Sequence, residues 1–414
     1  MFRFIQDRIQ KELTHFKRLP INARNLLLSY SLFEVVYPIL VTFFNAFIWR
    51  NSQGFLSVAV YHISRFVSLP VGFYLNGKLL RYFKISKLYF IGVLFIGLHT
   101  LSVILSKGNS YLYYVAFGLV YGLGGGLFWS NRNFLKLRET KDSNRNYFSS
   151  IESSITTLVG IIIPSLTGWF IVFGENKNIY STDTSYRILA ISVLLILASS
   201  GLVLLRRKYE TPSVNRVIIK KGSKNWLSVR LIQISIGLTN GVLFFVPDLL
   251  ILEGVGNEKV LGFISSLVAI GTALLIYLFG RLSSSKHRIS TFSCSIVLNI
   301  FASLLLLVFP EPGGYILYIS LVYVSKAFIW VSAVPLIMSI IESEKMLDNY
   351  RYILDMELFL NTGRVIGIGA FLFLLLYFEQ VNAIVSIPLI SAVFQGIIFV
   401  VAISILKKNK FKSI

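Results

Sequence analysis

The sequence is poor in charged residues and has a single cysteine, and each shortage excludes a class of protein. Asp, Glu, Lys and Arg make up 14% of its 414 residues, whereas soluble proteins carry about 25%. Because 55% of the residues are hydrophobic and the mean hydropathy is +0.71, a water-soluble fold would expose too much apolar surface. Cys294 lies alone within an apolar run, so neither an internal disulfide nor a cysteine metal site is possible. We expect a polytopic membrane protein.

Histidine is also scarce, and the motifs of common enzymes are missing. The four histidines are scattered along the chain, at His15, His62, His99 and His287. They form no metal-binding motif, and no Gly-x-Ser-x-Gly elbow is present. The glycines within 122–126 are not followed by the Gly-Lys-Ser/Thr of a phosphate loop, so we expect them to allow close helix approach. We therefore expect no metal, no cofactor and no enzyme; a polytopic membrane enzyme and a transport-inactive receptor or scaffold stay as alternatives.

Long apolar runs predict twelve transmembrane helices. A helix needs about 20 mostly apolar residues to cross ~30 Å of hydrocarbon. The strands of a membrane barrel would be about half as long and would alternate in polarity. The runs cover residues 25–49, 54–76, 87–106, 111–130, 146–173, 187–205, 229–251, 259–280, 289–309, 315–340, 351–378 and 381–406. The predicted fold class is an all-α membrane protein.

Lysine and arginine are concentrated in alternate loops, which predicts the orientation. Of the 40 Lys and Arg, 31 lie in the segments 1–23, 77–87, 131–145, 206–230, 281–288, 342–351 and 407–414. The loops between these segments hold five, at Arg50, Lys107, Lys177, Arg187 and Lys259. This bias places both termini in the cytoplasm of a cell whose plasma (inner) membrane holds the chain. It also accounts for the net charge of +21, so we expect no nucleic-acid partner.

Spacings in the first half of the sequence recur in the second half. Span eight repeats four residues of span two: Gly54, Phe55, Ser57 and Gly72 match Gly262, Phe263, Ser265 and Gly280. Span eleven repeats four residues of span five: Asn144, Tyr147, Glu152 and Thr157 match Asn349, Tyr352, Glu357 and Thr362. The predicted organisation is a cytoplasmic segment 1–24, a six-helix bundle 25–205, a basic linker 206–228, a second bundle 229–406 and a basic tail 407–414. Residues 1–24 show no signal peptide and are either an amphipathic helix on the inner face or a solvated tail.

Two six-helix bundles with cytoplasmic ends and a basic central linker resemble the major facilitator superfamily. The fragment FWSNRNFLKLRETKDSNRNYFSS resembles an uncharacterised bacterial branch of it. The resemblance covers the whole chain as architecture and implies a central cavity with alternating access and a site near the bilayer midplane. After span two the family often has an acid in a Gly-x-x-x-Asp loop, but here the string GFYLNGKLLR keeps Gly72 and has Asn76 instead. We expect gating or scaffold roles for Gly72, Asn76, Arg145, Gly280 and Arg351.

Ionisable residues inside the spans are the functional candidates, because each costs about 2.5–3.5 kcal/mol on insertion scales. Glu34 lies near mid-depth in span one and shares a helical face with Tyr37 and Asn45. A buried carboxylate can take up and release a proton as the cavity opens to each side. Glu34 is the first choice for this role, and Glu152 and Glu357 are the second. The alternative is that the latter two pair with Arg145 or Arg351 and only hold helices together.

A second group of residues is predicted to bind the solute. Its members are Tyr37, Asn45, Arg65, Tyr121, Trp129, Asn240, Lys326, Trp330, Asn361 and Arg364. Three of them are basic and favour an anionic or zwitterionic solute, and the aromatic and amide side chains suit a sugar-like or aromatic body. If the basic residues are already paired with acids, the solute would be neutral. We expect His99 to be a packing residue and Asp248 to be solvated at the membrane interface.

The sequence thus predicts a secondary active transporter that moves a small organic solute by alternating access. Its expected partners are the solute, membrane lipids and a coupling ion, either a proton or sodium, and the chain is expected to be a monomer. An exporter of lipids or amphipathic drugs is the alternative within transport. Such an exporter would need an apolar cavity that opens sideways to the membrane.

Overall fold

A computed structural model describes residues 16–52, 54–106, 108–140, 142–212, 223–282, 288–343 and 349–410. Within these ranges the regular structure is helical, without strands. Twelve segments in them are long and apolar enough to cross a membrane: Ile21–Ser52, Phe55–Leu79, Ile85–Ser106, Tyr111–Glu139, Tyr147–Asn176, Thr182–Leu205, Lys224–Gly254, Glu258–Leu275, Arg288–Val308, Pro312–Val334, Tyr350–Tyr377 and Gln380–Lys407. We number them spans 1 to 12. The predicted fold class is confirmed.

Several helices extend beyond these segments. Their full bounds are Asp142–Asn176 in span 5, Glu258–Leu282 in span 8, Pro312–Ser343 in span 10, Asn349–Tyr377 in span 11 and Gln380–Lys410 in span 12. Parts of the predicted connecting segments lie outside the described residues, namely 1–15 of the N-terminal segment, 213–222 of the linker and 411–414 of the tail. We call the end of the bundle that carries Ile21 and Leu79 the basic end, and the end that carries Ser52 and Phe55 the opposite end.

Spans 1 and 7 are each interrupted at mid-depth. Span 1 contains Pro38, and the following residues Ile39–Phe43 form a π-helical turn before Phe44–Ser52 resumes the α-helix. Proline cannot donate the helical hydrogen bond and disturbs the preceding turn. Span 7 is an α-helix over Lys224–Leu243 and again over Val246–Gly254, with Phe245 at φ −142° between them. The interruptions occupy corresponding positions of the sequence repeat, and such breaks are typical of binding sites in transporters.

Glycines bring spans 2 and 4 into backbone contact. A Cβ added to Gly72 would lie 2.9 Å from the Cα of Gly126, and a Cβ added to Gly126 would lie 2.6 Å from the Cα of Gly72. Spans 7 and 11 cross in the same way, through Gly237 and Gly363. Small residues at such crossings allow helices to pack closely in a membrane. Gly72, predicted as a gating or scaffold residue, therefore lies at a helix crossing.

We expect Gly72→Ala to lower the melting temperature of the purified protein, whereas Gly369→Ala should leave it unchanged or raise it. The added methyl at Gly72 would force spans 2 and 4 apart, and overpacking of this kind costs about 1–3 kcal/mol. At Gly369 nothing lies within 4 Å of an added Cβ, so the helix propensity of alanine adds up to about 1 kcal/mol. Thermal unfolding in detergent measures both; equal melting temperatures would contradict the close crossing.

Several helix pairs join the first six spans to the last six, among them spans 4 and 11. Span 2 packs against span 11, span 5 packs against span 8, and the end of span 1 packs against the second part of span 7. Large apolar side chains such as Leu112, Leu376 and Val400 remain exposed around the bundle, as expected of a surface that faces lipid. The interrupted parts of spans 1 and 7 thus lie at the junction between the two sets of helices.

Candidate functional site

A cavity of about 280 Å³ lies between the first six and the last six spans. Spans 1, 5, 7, 8 and 10 contribute its walls, and both helix interruptions border it. The lining includes Tyr37, Pro38, Val41, Thr42, Thr156, Thr157, Gly160, Pro164, Leu243, Phe244, Pro247, Asp248, Ile251, Ser265, Val268, Ala269, Thr272, Ala273, Ile319, Tyr323 and Lys326. Most of these side chains are apolar, so the few polar groups among them determine what the cavity can hold.

Asp248 and Lys326 are the charged residues that line the cavity. Asp248 is 4% exposed, so the expectation that it is solvated at the interface is wrong. The helix break places Pro247 in the first turn of the second part of span 7, and Asp248 follows it inside the bundle. Lys326 is half-buried, and its Nζ lies 5.5 Å from the ring centre of Tyr323 and 5.8 Å from that of Phe244. Within the described residues Lys326 makes no hydrogen bond or ion pair.

Asn45 holds Asp248 in place. Its side-chain nitrogen donates to the carboxylate of Asp248 at 2.9 Å and to the carbonyl oxygen of Phe244 at 2.7 Å. The side-chain oxygen of Asn45 is therefore left for Nε2 of His62, at 2.8 Å, which assigns the ring proton to that nitrogen. These bonds join spans 1 and 2 to span 7 at its break. Asn45, predicted to bind the solute, contacts the acid of the cavity instead of lining it.

Arg65 and Arg364 lie behind the cavity wall formed by Phe244. The guanidinium of Arg65, in span 2, is 5.2 Å from the ring centre of Phe244, and that of Arg364, in span 11, is 5.3 Å from it. Arg65 donates to the hydroxyl of Tyr121 at 3.4 Å, and Arg364 donates to the side-chain oxygen of Asn361 at 3.0 Å. Among the described residues no carboxylate lies within ion-pair distance of either arginine, although Asn361 links Arg364 to Glu357 and the two charges attract each other. The alternative that these basic residues are directly paired with acids is not observed there.

The three candidate acids differ in their surroundings. Glu34 is 4% exposed, and it accepts hydrogen bonds from Tyr30 and from Thr156, which lines the cavity. Glu357 accepts a hydrogen bond from the side chain of Asn361 at 3.3 Å. Within the part of the chain that the structure describes, neither Glu34 nor Glu357 forms an ion pair. For Glu357 the alternative, an ion pair with a helix-end arginine, is therefore not observed there.

Glu152 forms ion pairs with partners other than the predicted ones. Both Arg132 and Lys136, on span 4, contact its carboxylate. The side chain of Arg145, its predicted partner, lies outside the described residues. Arg132 also stacks over the ring of Tyr30, with its guanidinium 4.2 Å from the ring centre. Glu152 thus links spans 4 and 5, as the alternative interpretation predicts. Its partner Arg132 lies beside Tyr30, which also contacts Glu34.

The remaining predicted residues lie around the site without facing the main cavity. Trp129 packs against the rings of Phe33 and Phe128. Asn240 and Trp330 line a crevice of about 10 Å³ on another side of Lys326, which has room for about one water molecule. His99, also between aromatic rings, is a packing residue as expected.

A neutral hydrogen-bond cluster joins spans 2 and 11 near the basic end. Asn76 exchanges side-chain hydrogen bonds with Asn131 at 2.9 and 2.8 Å and donates to the hydroxyl of Tyr350 at 3.2 Å. That hydroxyl donates to the carbonyl oxygen of Phe73 at 2.8 Å. Asn76 therefore makes an uncharged contact with span 11 at the position where the resembled family carries an acid. Arg351, the residue after Tyr350, is half-buried. Gly280 lies in the helix Glu258–Leu282, in a part whose side chains the structure does not describe.

We expect Tyr350→Phe to ease separation of spans 2 and 11. The variant loses a hydrogen bond worth about 0.5–1.5 kcal/mol, which changes the open fraction by about two- to tenfold. A cysteine placed in the cavity, Val41→Cys in a Cys294→Ser background, should react proportionately faster with a maleimide. Tyr377→Phe, whose side chain is exposed, is the matched control, and unchanged labelling by Tyr350→Phe would refute the cluster's role.

An ion pair bridges the same two sets of helices at the opposite end. The carboxylate of Glu258, at the start of span 8, lies 3.1 Å from Nε of Arg50, at the end of span 1. Tyr186 donates to the same carboxylate at 3.4 Å, and Glu258 is 3% exposed. The cavity is therefore bridged toward both ends of the bundle.

A helical bundle of twelve spans with a cavity between two sets of six defines a class of multi-pass membrane transporters. A model of the Major Facilitator Superfamily matches residues 25–345, and the chain belongs to this family. The predicted resemblance is confirmed. Membership of this family supports a secondary transporter with a small-molecule substrate.

One relative and two solved structures are similar to this chain over most of its length. The chain is 26% identical over 366 residues to "Uncharacterized protein YqgE" of Bacillus subtilis (strain 168), covering 85% of this chain and 81% of the relative. The crystal structure of the nucleoside transporter NupG has a TM-score of 0.63 at 13% identity, covering 94% of this chain and all of that one. A bacterial homologue of the human lysosomal transporter Spinster, inward-facing and unoccupied, has a TM-score of 0.57 at 12% identity, covering 93% and 95%. At these identities the two structures show the fold alone.

Proposed function

We propose that this chain carries a small organic solute with a negatively charged group across the membrane, and that a proton bound at Glu34 drives the transport. The observation that supports this most is Lys326, a cation on the cavity wall without an ionic partner in the described residues. Burying a charge without a partner costs several kcal/mol. A negatively charged solute would supply the partner, which explains why a cation there is tolerated.

The size and lining of the cavity support a small solute. Pockets that enclose drug-sized molecules measure about 300–1,000 Å³, and this cavity is about 280 Å³. Asp248 faces the same space as Lys326, so a zwitterion could place its ammonium on the acid and its acidic group on the lysine. A lipid or an amphipathic drug would need a larger and more apolar space. These features favour a small anionic or zwitterionic solute over the lipid or drug exporter.

The position of Glu34 supports proton coupling. Its carboxylate is buried, lacks an ion pair within the described residues and contacts Thr156 on the cavity wall. Because no cation in the described structure lies within ion-pair distance of this carboxylate, a change in solvent access can change its protonation state. The first part of span 1 carries Glu34 and the interrupted part borders the solute, so one helix connects the two sites. Glu152, in contrast, forms ion pairs with two cations and links spans 4 and 5.

We also infer the orientation and the membrane from the loop charges. The basic end would face the cytoplasm, with both termini there, in the plasma (inner) membrane. The two repeats at 25–205 and 229–406 would act as the two moving halves, within a monomer. A nucleoside, as the name of NupG suggests for that protein, is a neutral solute to compare with the anionic ones.

The test uses purified protein in liposomes that contain a trapped pH-sensitive dye. Monocarboxylates, dicarboxylates, amino acids, phosphate monoesters, hexoses and nucleosides are added one class at a time, with and without a pH gradient and with sodium or potassium. We expect solute-dependent proton movement for an anionic or zwitterionic class, independent of sodium. Proton movement that only hexoses or nucleosides evoke would contradict the anionic solute, and a strict sodium requirement would contradict proton coupling.

A further inference from the structure

Two buried arginines face each other across the junction of spans 2 and 11 and have no role in the cavity described above. Arg65 is 3% exposed and Arg364 is 9% exposed. Within the described part of the chain, Nε and Nη1 of Arg65, and Nε of Arg364, are buried without a hydrogen-bond partner. Leaving such donors unsatisfied is unfavourable, and more so for charged groups. Some partner that offsets this cost is expected.

The aromatic rings around the arginines supply only part of the compensation. Arg65 lies 4.1 Å from the ring centre of Tyr121, and Arg364 lies 4.8 Å from that of Phe66. Cation–π contacts attract the charge but leave the N–H donors without hydrogen bonds. They also do not remove the repulsion between two like charges on opposite sides of the junction. An oxyanion between the guanidinium groups would satisfy the donors and neutralise the repulsion.

We propose that Arg65 and Arg364 form an oxyanion subsite, which binds the carboxylate or phosphoryl group of the transported solute when the side chain of Phe244 moves aside. The inference rests on the proposed function, because it assigns part of the solute to residues outside the present cavity. Guanidinium groups bind carboxylate and phosphoryl oxygens through paired N–H donors, which suits this pair better than a single lysine would. Lys326, which also lies beside the ring of Phe244, would attract the same negative group from the cavity side, and the rest of the solute would occupy the cavity near Asp248.

Phe244 is placed to separate the subsite from the cavity. Its ring lines the cavity on one side and lies over both guanidinium groups on the other. It is the first residue after the helix Lys224–Leu243, within the break of span 7. A residue in such a break can change its backbone angles without disrupting a continuous helix. The break therefore allows Phe244 to uncover the arginines.

The subsite also couples the solute to the helix arrangement. Arg65 belongs to the first six spans and Arg364 to the last six, so separation of spans 2 and 11 would separate the two guanidinium groups. An oxyanion that contacts both would stabilise the arrangement in which the spans are together. Ligands that bind one arrangement preferentially shift the population toward it.

The experiment measures the melting temperature of the purified full-length protein with sulfate, inorganic phosphate, glycerol phosphate, acetate and succinate, at constant ionic strength set by chloride. We expect at least one oxyanion class to raise the melting temperature while chloride does not. Arg65→Gln and Arg364→Gln should each weaken this apparent affinity by roughly 10- to 100-fold, the loss of one charged hydrogen-bonding group. Arg65→Lys keeps the positive charge but loses the paired N–H donors of the guanidinium, so its apparent affinity should lie between those of wild type and Arg65→Gln. Phosphate compounds acting alone would identify a phosphoryl group, and carboxylates acting alone would identify a carboxylate.

Arg187→Gln is the matched control, because it removes an exposed arginine at the opposite end and should leave oxyanion binding unchanged. Phe244→Leu should strengthen binding of the small oxyanions, since less of the ring covers the subsite. Equal stabilisation of wild type and both glutamine variants, or an equal effect of chloride, would overturn the proposal. Transport of an anionic solute that persists in both glutamine variants would overturn the subsite and leave the proposed function standing. If the glutamine variants do not fold, unchanged binding in Arg65→Lys and Arg364→Lys is the contradicting result.

Discussion

Glu34→Gln is expected to abolish solute uptake driven by a pH gradient while the protein remains folded. Glutamine has nearly the shape of glutamate and can still accept hydrogen bonds from Tyr30 and Thr156 through its amide oxygen. It cannot take up or release a proton, so movement of the solute would no longer be linked to proton movement. We expect net uptake to fall at least tenfold. Uptake into liposomes with an imposed pH gradient measures it directly.

Exchange of internal for external solute separates loss of coupling from loss of folding. Exchange requires both arrangements of the helices but no net proton movement, so Glu34→Gln should retain it. Glu175→Gln, which changes an exposed carboxylate at the opposite end, is the control and should behave like wild type in both assays. Full uptake by Glu34→Gln under the pH gradient would remove Glu34 from the coupling mechanism.

Glu152→Gln should differ from Glu34→Gln, because Glu152 neutralises two cations. Its removal leaves Arg132 without its carboxylate and also weakens the contact to Lys136. Removing one partner of a buried pair costs about 3–5 kcal/mol. The main effect would be a lower melting temperature, with transport falling in proportion to the folded fraction. Glu34→Gln would thus change mainly the coupled transport, and Glu152→Gln would change mainly the melting temperature.

The helices could be predicted from the sequence, because the bilayer imposes their length and composition. Hydrocarbon cannot satisfy backbone donors and acceptors, so each crossing must be a long apolar helix. The same cost identifies Glu34, Arg65, Lys326 and Arg364 as unusual without any knowledge of their neighbours. That reasoning predicts that these residues are shielded inside the bundle, but it does not predict which residues each of them contacts.

Contacts between distant parts of the chain could not be predicted in this way. The sequence predicts Asp248 at the interface because it lies near the end of an apolar run, and the break that turns it inward is visible only as Pro247. It offers a nearby arginine as the partner of Glu152, because the true partners Arg132 and Lys136 lie among the basic residues of a predicted loop. A proline at corresponding depths of spans 1 and 7 is the signal that would have directed attention to Asp248.

Tertiary packing also decides which predicted polar residues face the solute. Tyr37 and Asn45 share a helical face in the sequence, but the π-helical turn at Ile39–Phe43 lies between them and changes their relative direction. Tyr37 lines the cavity, whereas Asn45 bonds to the carboxylate of Asp248. A periodicity argument assumes an uninterrupted helix, and the extra residue of a π-helical turn breaks that assumption.

Lys326→Met should reduce binding of the transported solute by about 100-fold or more and should not destabilise the protein. The ammonium group of Lys326 is the cation on the cavity wall, and a charged hydrogen bond with good geometry is worth about 1.5–3 kcal/mol. Removing it in a site of low polarity also removes the long-range attraction for an anion. Because Lys326 forms no ion pair in the described structure, its replacement by an apolar side chain of similar length breaks no direct salt bridge, and Asp248 loses only a longer-range attraction. Asp248 keeps its hydrogen bond from Asn45.

Opposite effects on binding and stability are what distinguish a functional lysine from a structural one. A lysine that held the fold together would lower both when replaced, whereas Lys326→Met should weaken solute binding and leave the melting temperature unchanged or higher. Lys326→Arg keeps the charge and should retain most of the binding, and Lys259→Met, at an exposed position, should change neither quantity. Titration calorimetry or solute-induced thermal shifts measure solute binding, and thermal unfolding without solute measures the melting temperature. Unchanged solute binding in Lys326→Met would mean that the arginines behind Phe244 supply the attraction alone, and a large fall in melting temperature would assign Lys326 to the scaffold.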